Sequence, residues 1–479
     1  MAWDPGFEVA FHPRTIAVVG APRNKPEQGW LGLLGCIREF GFAGRIYPIN
    51  PNAAESFGLK AYPNLAAVPE PVDLVLVTVP APAVPHVLED CIASGNKNIH
   101  IFTAGFSETG QAEGVELEKQ IARIARRGGL RIVGPNCMGL YVPAARLVTW
   151  VPAPEESGPV AFITQSGGHA GDYSNYAAQF GIRFSKVVSF GNGVVLDSTD
   201  FLEYFARDPE TTIITMYLEG VKDGRKLLRQ VKDINRTKPV VLLKGGLTES
   251  GAGAAASHTG SLAGSEAIWS AFFKQTGAVP VNSLEEMAEA TLALLHLSPP
   301  RGRRVGIVGS GGGISVASAD ICSREGLEVP ALTPETRKEL RAFVPPAGTS
   351  IRNPLDVEFV FSNFKLLERT LDLVSGDPLI EMLIVDIHIN WLDDASPDGH
   401  TGKIASYLAN SARQHSHGKP LVVSWKLWRN EPALEAARAR LEVELTQAGI
   451  PVYRSLSRAS RALAKLAGYY EYQRAEWPY

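Results

Sequence analysis

The chain has 479 residues, 45% of them hydrophobic and 20% charged, and a net charge of −3 at neutral pH. These values fit an ordinary folded globular protein, and the length exceeds what one core holds, so about three domains are expected. No basic block points to nucleic acid or an anionic membrane, and no apolar run approaches the ~20 residues that span a bilayer.

The first residues, Met-Ala-Trp-Asp-Pro-Gly-Phe-Glu, lack a positive start followed by an apolar stretch, so no secretion signal is expected. Cys36, Cys91, Cys137 and Cys322 are scattered, without disulfide or metal-ligand spacing. They are expected to be buried and inert in a reducing cytoplasm, and no metal site is expected.

In the first segment, residues 1–150, Thr15-Ile-Ala-Val-Val-Gly20 reads as a buried parallel strand. A helix is predicted over about 29–40, closed by Gly41-Phe-Ala-Gly44. Further strands are predicted at Arg45-Ile-Tyr-Pro-Ile-Asn50, Asp73-Leu-Val-Leu-Val-Thr-Val79, Asn98-Ile-His-Ile-Phe-Thr103 and Leu130-Arg-Ile-Val133. Strands alternating with helices imply a doubly wound parallel sheet, which binds ligands at the carboxyl ends of its strands. The turns there are Gly20-Ala21-Pro22-Arg23, Asn50-Pro51-Asn52, Val79-Pro80-Ala81-Pro82, Gly105-Phe106-Ser107-Glu108 and Gly134-Pro135-Asn136-Cys137. The first resembles a phosphate turn without the full G-x-G-x-x-G pattern. No acidic residue ends the second strand, which argues against a nicotinamide cofactor. A phosphate-bearing ligand fits better, with Arg23 and a helix N-terminus available for its charge.

The second segment, residues 151–298, opens on a linker-like Pro152-Ala-Pro-Glu-Glu-Ser-Gly158. Val160-Ala-Phe-Ile-Thr164 is a predicted strand and Gln165-Ser166-Gly167-Gly168 its turn into a helix. Backbone N–H groups at that helix start, with the Ser166 hydroxyl, form a candidate anion pocket. After Lys186-Val-Val-Ser-Phe190 come Gly191-Asn192-Gly193 and Asp200, which is expected to cap the next helix. Thr212-Ile-Ile-Thr-Met-Tyr-Leu218 is a strand with Glu219 at its carboxyl end, and Val240-Val-Leu-Leu243 is followed by Lys244-Gly-Gly246. Directly after lies a run of very small residues, 250–264, holding Ser257-His258-Thr259-Gly260-Ser261. A histidine in such a run has almost nothing bulky beside it, and its glycines permit conformational change. Ser166, Glu219 and the His258 loop all follow strands of one parallel sheet and should face one edge.

The third segment, residues 299–479, follows a second linker, Pro299-Pro-Arg-Gly302. Val305-Gly-Ile-Val308 and Gly309-Ser-Gly-Gly-Gly313 repeat the earlier strand and turn: aligning Val160 with Val305 sets Gly168 over Gly313 and Gly181 over Gly326. That register implies two related flavodoxin-like domains, the second without a histidine loop. Strands are predicted at 380–385 and 420–424, and amphipathic helices at 433–448 and 456–471.

At this point the chain resembles the alpha subunit of NDP-forming acyl-CoA synthetases, the ADP-forming acetate–CoA ligase group, related to the alpha subunit of succinyl-CoA synthetase. Matching stretches include Gly20-Ala-Pro-Arg23, Tyr47-Pro-Ile-Asn-Pro51, Gly105-Phe-Ser-Glu-Thr-Gly110, Thr164-Gln-Ser-Gly167, Tyr217-Leu-Glu-Gly220, Ala256-Ser-His-Thr-Gly-Ser-Leu-Ala-Gly264 and Asn353-Pro-Leu-Asp356. They run in family order over nearly the whole chain. The resemblance implies an α/β fold: a Rossmann-like CoA-binding domain, then two flavodoxin-like ligase domains. It implies CoA contacts from Gly20, Ala21, Pro22, Arg23, Asn50, Pro51, Val79, Pro80, Ser107, Glu108, Pro135 and Asn136. It further implies that His258 carries a phosphoryl group between an acyl phosphate and a nucleotide, and that ATP or ADP with Mg2+ binds an ATP-grasp module on a partner beta subunit, in an alpha2beta2 heterotetramer. Ser166, Gly167 and Gly168 would hold the phosphoryl group, and Glu219 would fix the imidazole tautomer. The substrates implied are CoA and a small carboxylic acid. Where the family often has Gly-Asn-Lys-Ala-Asp, this chain has Gly191-Asn-Gly-Val-Val195. Two other readings are a non-catalytic CoA-binding or sensing protein of this fold and a dinucleotide oxidoreductase, the latter disfavoured by the missing ribose acid.

Overall fold

The computed structural model describes residues 6–23, 31–251, 253, 265–309, 311–388, 400–426 and 431–477. They divide into two compact units, residues 1–284 and 285–479.

The first unit holds two sheets. In the first, β1 (Thr15–Val19) pairs with β2 (Arg45–Ile49), and a small hairpin of β3 (Glu55–Ser56) and β4 (Leu59–Lys60) follows. Three further strands, β5 (Leu74–Val77), β6 (Asn98–Ile101) and β7 (Arg131–Val133), complete an all-parallel sheet of order β2-β1-β5-β6-β7. The order reverses between β1 and β5, the position where such sheets open a ligand crevice. β1 and β5 are buried at every residue, as the apolar runs predict for strands covered on both faces. The helix predicted from about 29 is described at Gly32–Glu39.

The second sheet comprises β8 (Gly139–Val142), β9 (Leu147–Val148), β10 (Ser157–Thr164), β11 (Phe184–Ser189), β12 (Ile213–Leu218), β13 (Val240–Lys244) and β14 (Val279–Val281), in the order β14-β13-β12-β10-β11-β8-β9. β10 to β14 are parallel, whereas β8 runs antiparallel to β11 and to β9. Strands β8 and β9 therefore come from the first segment of the chain but complete the second sheet. The first helix, Gly6–Phe11, adds Phe7 and Phe11, whose rings lie 5.5 and 4.6 Å from that of Tyr204. One apolar core joins residues of both sheets.

Helix Ser198–Arg207 is capped by Asp197, not by Asp200. Asp197 Oδ1 accepts from Thr199 N at 2.7 Å, and Asp200 returns the bond by accepting from Asp197 N at 3.0 Å. Asp200 thus sits in the first turn as the reciprocal partner of a capping box.

The second unit holds β15 (Val305–Gly309), β16 (Leu355–Asp356), β17 (Met382–His388), β18 (Leu421–Lys426) and β19 (Val452–Tyr453), all parallel in the order β16-β15-β17-β18-β19. The internal repeat holds atom by atom. Val160 N donates to Arg183 O, and Val305 N donates to Glu328 O. Ile182 N donates to Ala177 O, and Leu327 N to Cys322 O; Gly181 and Gly326 both have positive φ, +77° and +84°. Each helix thus ends in the same left-handed turn that returns the chain to its sheet.

The turns diverge in one respect. Gly311 N donates to Asp356 Oδ1 at 2.7 Å, so a carboxylate of this chain occupies the helix start in the second unit. All four cysteines are buried. Burial pushes the thiols of Cys91 and Cys322 up to about 12 and about 11, so they stay protonated.

Candidate active site

The five candidate CoA turns each follow a strand of the first sheet and therefore share its carboxyl edge. Gly20 has φ +90°, and a Cβ there would lie 2.8 Å from Thr78 Oγ1, so both conformation and space call for glycine. Asn50 Nδ2 donates to Ala21 O at 2.8 Å, and Asn50 Oδ1 accepts from Asn52 N at 2.9 Å, tying the turns after β1 and β2 together. Thr103 Oγ1 donates to Val79 O at 2.7 Å, and Asn136 N donates to Thr103 O at 2.9 Å. Ala21 is buried, while Pro22, Arg23, Pro51 and Pro80 are exposed on the rim.

Ser107 and Glu108 are placed differently. Glu108 Oε1 accepts from Gly105 N at 2.6 Å and Phe106 N at 3.1 Å, and Oε2 accepts from Asn192 Nδ2 at 2.6 Å. Burial alone would raise this carboxyl, but the bonds from Asn192 and the two amides outweigh it, and the net direction is downward. Ser107 Oγ donates to Glu118 Oε2 at 2.6 Å. Both side chains thus hold their own loop and its junction with the second sheet. Asn136, at φ +57°, donates through Nδ2 to Asn192 Oδ1 at 3.3 Å, and Asn192 N donates to Pro135 O at 3.1 Å. Gly191 is required at this junction: a Cβ there would lie 2.1 Å from Asn136 O.

In the second sheet Thr164 is level with both Ser189 and Tyr217, and Leu218 with Lys244. The turns after β10, β12 and β13 therefore emerge side by side. Ser166 caps the helix Gly167–Ala178, its Oγ accepting from His169 N at 3.3 Å. Gly167 leaves room for Met138, whose Cγ would be 2.7 Å from a Cβ. Gly168 is exposed, and the nearest atom to an added Cβ is Ser166 Oγ at 3.9 Å, so its approach is open. Gln165 Oε1 accepts from Glu219 N at 2.5 Å and Gly220 N at 2.9 Å, which binds the Ser166 turn to the Glu219 turn.

Glu219 is 6% exposed. Tyr217 Oη donates to Glu219 Oε1 at 3.2 Å, and Lys244 Nζ donates to Glu219 O at 2.8 Å. The His169 ring lies edge-on to Tyr217 at 4.4 Å. Burial lowers the His169 imidazole, against the opposing pull of Asp172 and Glu219, and burial likewise lowers Lys244 against Glu219. Burial, then Glu219, raises the Tyr217 phenol and keeps it a neutral donor. His258 lies outside the described residues; β13 ends at Lys244.

The structure thus joins Ser166 to Glu219 and adds Gln165, His169, Tyr217 and Lys244, which the sequence reading left without roles. One signal was available: Tyr217 and Glu219 are two apart at the end of a strand, where alternate side chains share a face. Among the described residues no group of three or more His, Cys, Asp or Glu side chains is placed to hold a metal ion. Among them too, no helix is long and apolar enough to cross a membrane.

Comparison with known proteins agrees along the whole chain. Residues 14–143 match a CoA binding domain, 157–294 a succinyl-CoA ligase like flavodoxin domain, and 305–475 a Ligase-CoA domain. The chain is 37% identical to the alpha subunit of acetate–CoA ligase [ADP-forming] II of Pyrococcus furiosus, over 92% of this chain and 93% of that one. It is 37% identical to acetate–CoA ligase [ADP-forming] I of Archaeoglobus fulgidus over 79% of its own length, and there spans 54% of the relative. A solved structure of the dinucleotide-forming acetyl-coenzyme A synthetase 1 of Ca. Korarchaeum cryptofilum, in complex with phosphate and ADP, superposes with a TM-score of 0.83 at 33% identity, covering 99% of each chain. With a CoA-binding sheet, a linked Ser166–Glu219 edge and relatives matched almost end to end, the chain belongs to the alpha subunits of the ADP-forming acetate–CoA ligase family, the NDP-forming acyl-CoA synthetases, which are acid–thiol ligases.

Proposed function

We propose that the chain interconverts acyl-CoA, phosphate and NDP with carboxylic acid, CoA and NTP through phosphorylated His258. The reading rests on one observation above all: Gln165 Oε1 bridges the Ser166 turn to Glu219 N and Gly220 N, so that turn and a buried carboxylate share one sheet edge. In the first step an oxygen of hydrogen phosphate attacks the thioester carbonyl, the C–S bond breaks, and the proton of the phosphate goes to the leaving CoA sulfur. The His258 imidazole then attacks phosphorus of the acyl phosphate, the P–O bond to the acyl group breaks, and the carboxylate leaves. Attack requires a neutral ring nitrogen; Glu219 accepts a hydrogen bond from the N–H of the other nitrogen and so fixes that tautomer. Amide groups at the start of helix Gly167–Ala178 and the Ser166 hydroxyl offset the phosphoryl charge.

The labour divides over the three segments. Residues 1–150 bind CoA through Gly20, Ala21, Pro22, Arg23, Asn50, Pro51, Val79, Pro80, Pro135 and Asn136, with Ser107 and Glu108 shaping their loop; 151–298 carry the phosphoryl chemistry; and 299–479 form the second ligase domain. The phosphoryl group passes to ADP, with Mg2+, on an ATP-grasp beta subunit, in an alpha2beta2 assembly in the cytoplasm. The relatives named as alpha subunits support a separate partner chain. The test is to incubate the chain with a candidate ATP-grasp chain and γ-labelled ATP and to look for acid-labile label. Label on wild type that His258→Asn abolishes is the expected result. A chain that takes no label with any acid, CoA or nucleotide contradicts the reading.

A further inference from the structure

We infer that Tyr217 is a positioning residue for the phosphoryl-transfer site, acting through Glu219, and that Gly245 is glycine in order to admit its hydroxyl. The inference rests on the phosphohistidine reading above and adds residues to it. Three neighbouring strands converge on Glu219. From the turn after β10, Gln165 holds its amide; from β13, Lys244 holds its carbonyl. These two contacts hold the main chain of Glu219. The hydroxyl of Tyr217 lies 3.2 Å from Oε1 and bears on the carboxylate itself.

The phenol is in turn held in place. The His169 ring packs edge-on against it at 4.4 Å. On the side of the next strand, an added Cβ at Gly245 would lie 2.7 Å from Tyr217 Oη and 3.2 Å from Cζ. Gly245 does not have a left-handed backbone, so its lack of a side chain answers to space rather than to φ. An alanine there crowds the hydroxyl that bonds to Glu219. Tyr217→Phe removes the same hydroxyl while keeping the ring that packs on His169. Two different substitutions on two strands should therefore produce one defect.

The experiment measures single-turnover labelling of the full chain by γ-labelled ATP in the presence of its ATP-grasp partner, with CoA binding measured alongside. Tyr217→Phe and Gly245→Ala should each slow labelling by about tenfold, leave the apparent affinity for ATP and CoA unchanged, and combine without further loss, because both act on one hydroxyl. In a Glu219→Gln background, Tyr217→Phe should slow labelling by less than twofold. A wild-type rate in Tyr217→Phe, or the same tenfold loss in both backgrounds, overturns the inference while leaving the phosphohistidine reading in place. If the wild-type chain itself takes no label, both fall together.

Discussion

Asn192 Nδ2, at the carboxyl end of β11, lies 2.6 Å from Glu108 Oε2 at the carboxyl end of β6, and 2.8 Å from Glu118 Oε2. One amide thus serves two carboxylates and links the CoA-type sheet to the ligase sheet. Asn192→Ala leaves both acids without that donor. The expected cost is about 1–3 kcal/mol in urea unfolding, together with weaker CoA binding as the Ser107 loop loosens. Unchanged stability would mean that the loop's other bonds suffice.

Gly20 combines a φ of +90° with contact against Thr78. Gly20→Ala is expected to weaken CoA binding at least tenfold and to cost about 1–3 kcal/mol, the range for a side chain forced into such backbone. Calorimetric titration with CoA checks the first effect; full affinity would place the CoA phosphates elsewhere.

His100 gives a pH dependence. Its ring is fully buried in β6, with Nε2 3.3 Å from Cys137 O and Gly139 pressed against it. Burial pushes the imidazole down to about 4 from its ordinary 6.5, partly opposed by the Cys137 carbonyl. The folded state therefore binds this proton less readily than the unfolded chain. The stabilisation is fully present above pH 6.5 and is lost as pH falls toward 4, amounting to about 3 kcal/mol. Urea midpoints measured from pH 7 to 4.5 should fall more steeply for wild type than for His100→Gln; parallel curves would remove His100 as the cause.

Asp197 caps helix Ser198–Arg207 with a reciprocal bond from its own amide to Asp200. Asp197→Ala should cost about 1–2 kcal/mol, and Asp200→Ala less, since the cap oxygen remains. Thermal melts of the two variants decide this, and the reverse order would identify Asp200 as the cap.

Glu219→Gln should slow His258 phosphorylation more than tenfold, the order expected when an orienting carboxylate is lost, while His258→Asn should abolish label and leave CoA binding intact. A normal rate in Glu219→Gln assigns that carboxylate another task.

The sequence alone carried the alternation of buried strands and helices, the carboxyl-edge turns, and the repeat that sets Gly181 over Gly326. These are local signals: an apolar run covered on both faces, or a glycine ending a helix, is written in a few neighbouring letters. Strands β8 and β9 were not legible, because four- and two-residue strands carry too little periodicity, and β11, the antiparallel partner of β8, pairs with it across 46 (187 − 141) to 50 (189 − 139) residues of chain. Asp197 and Asp200 were both visible, but which one caps depends on backbone angles. Tertiary structure alone decided that Gln165 and Lys244 meet at Glu219, that Gly245 makes way for Tyr217, and that Glu108 turns to Asn192. Those contacts depend on the register between strands far apart in the chain, and register is settled by packing the whole sheet at once.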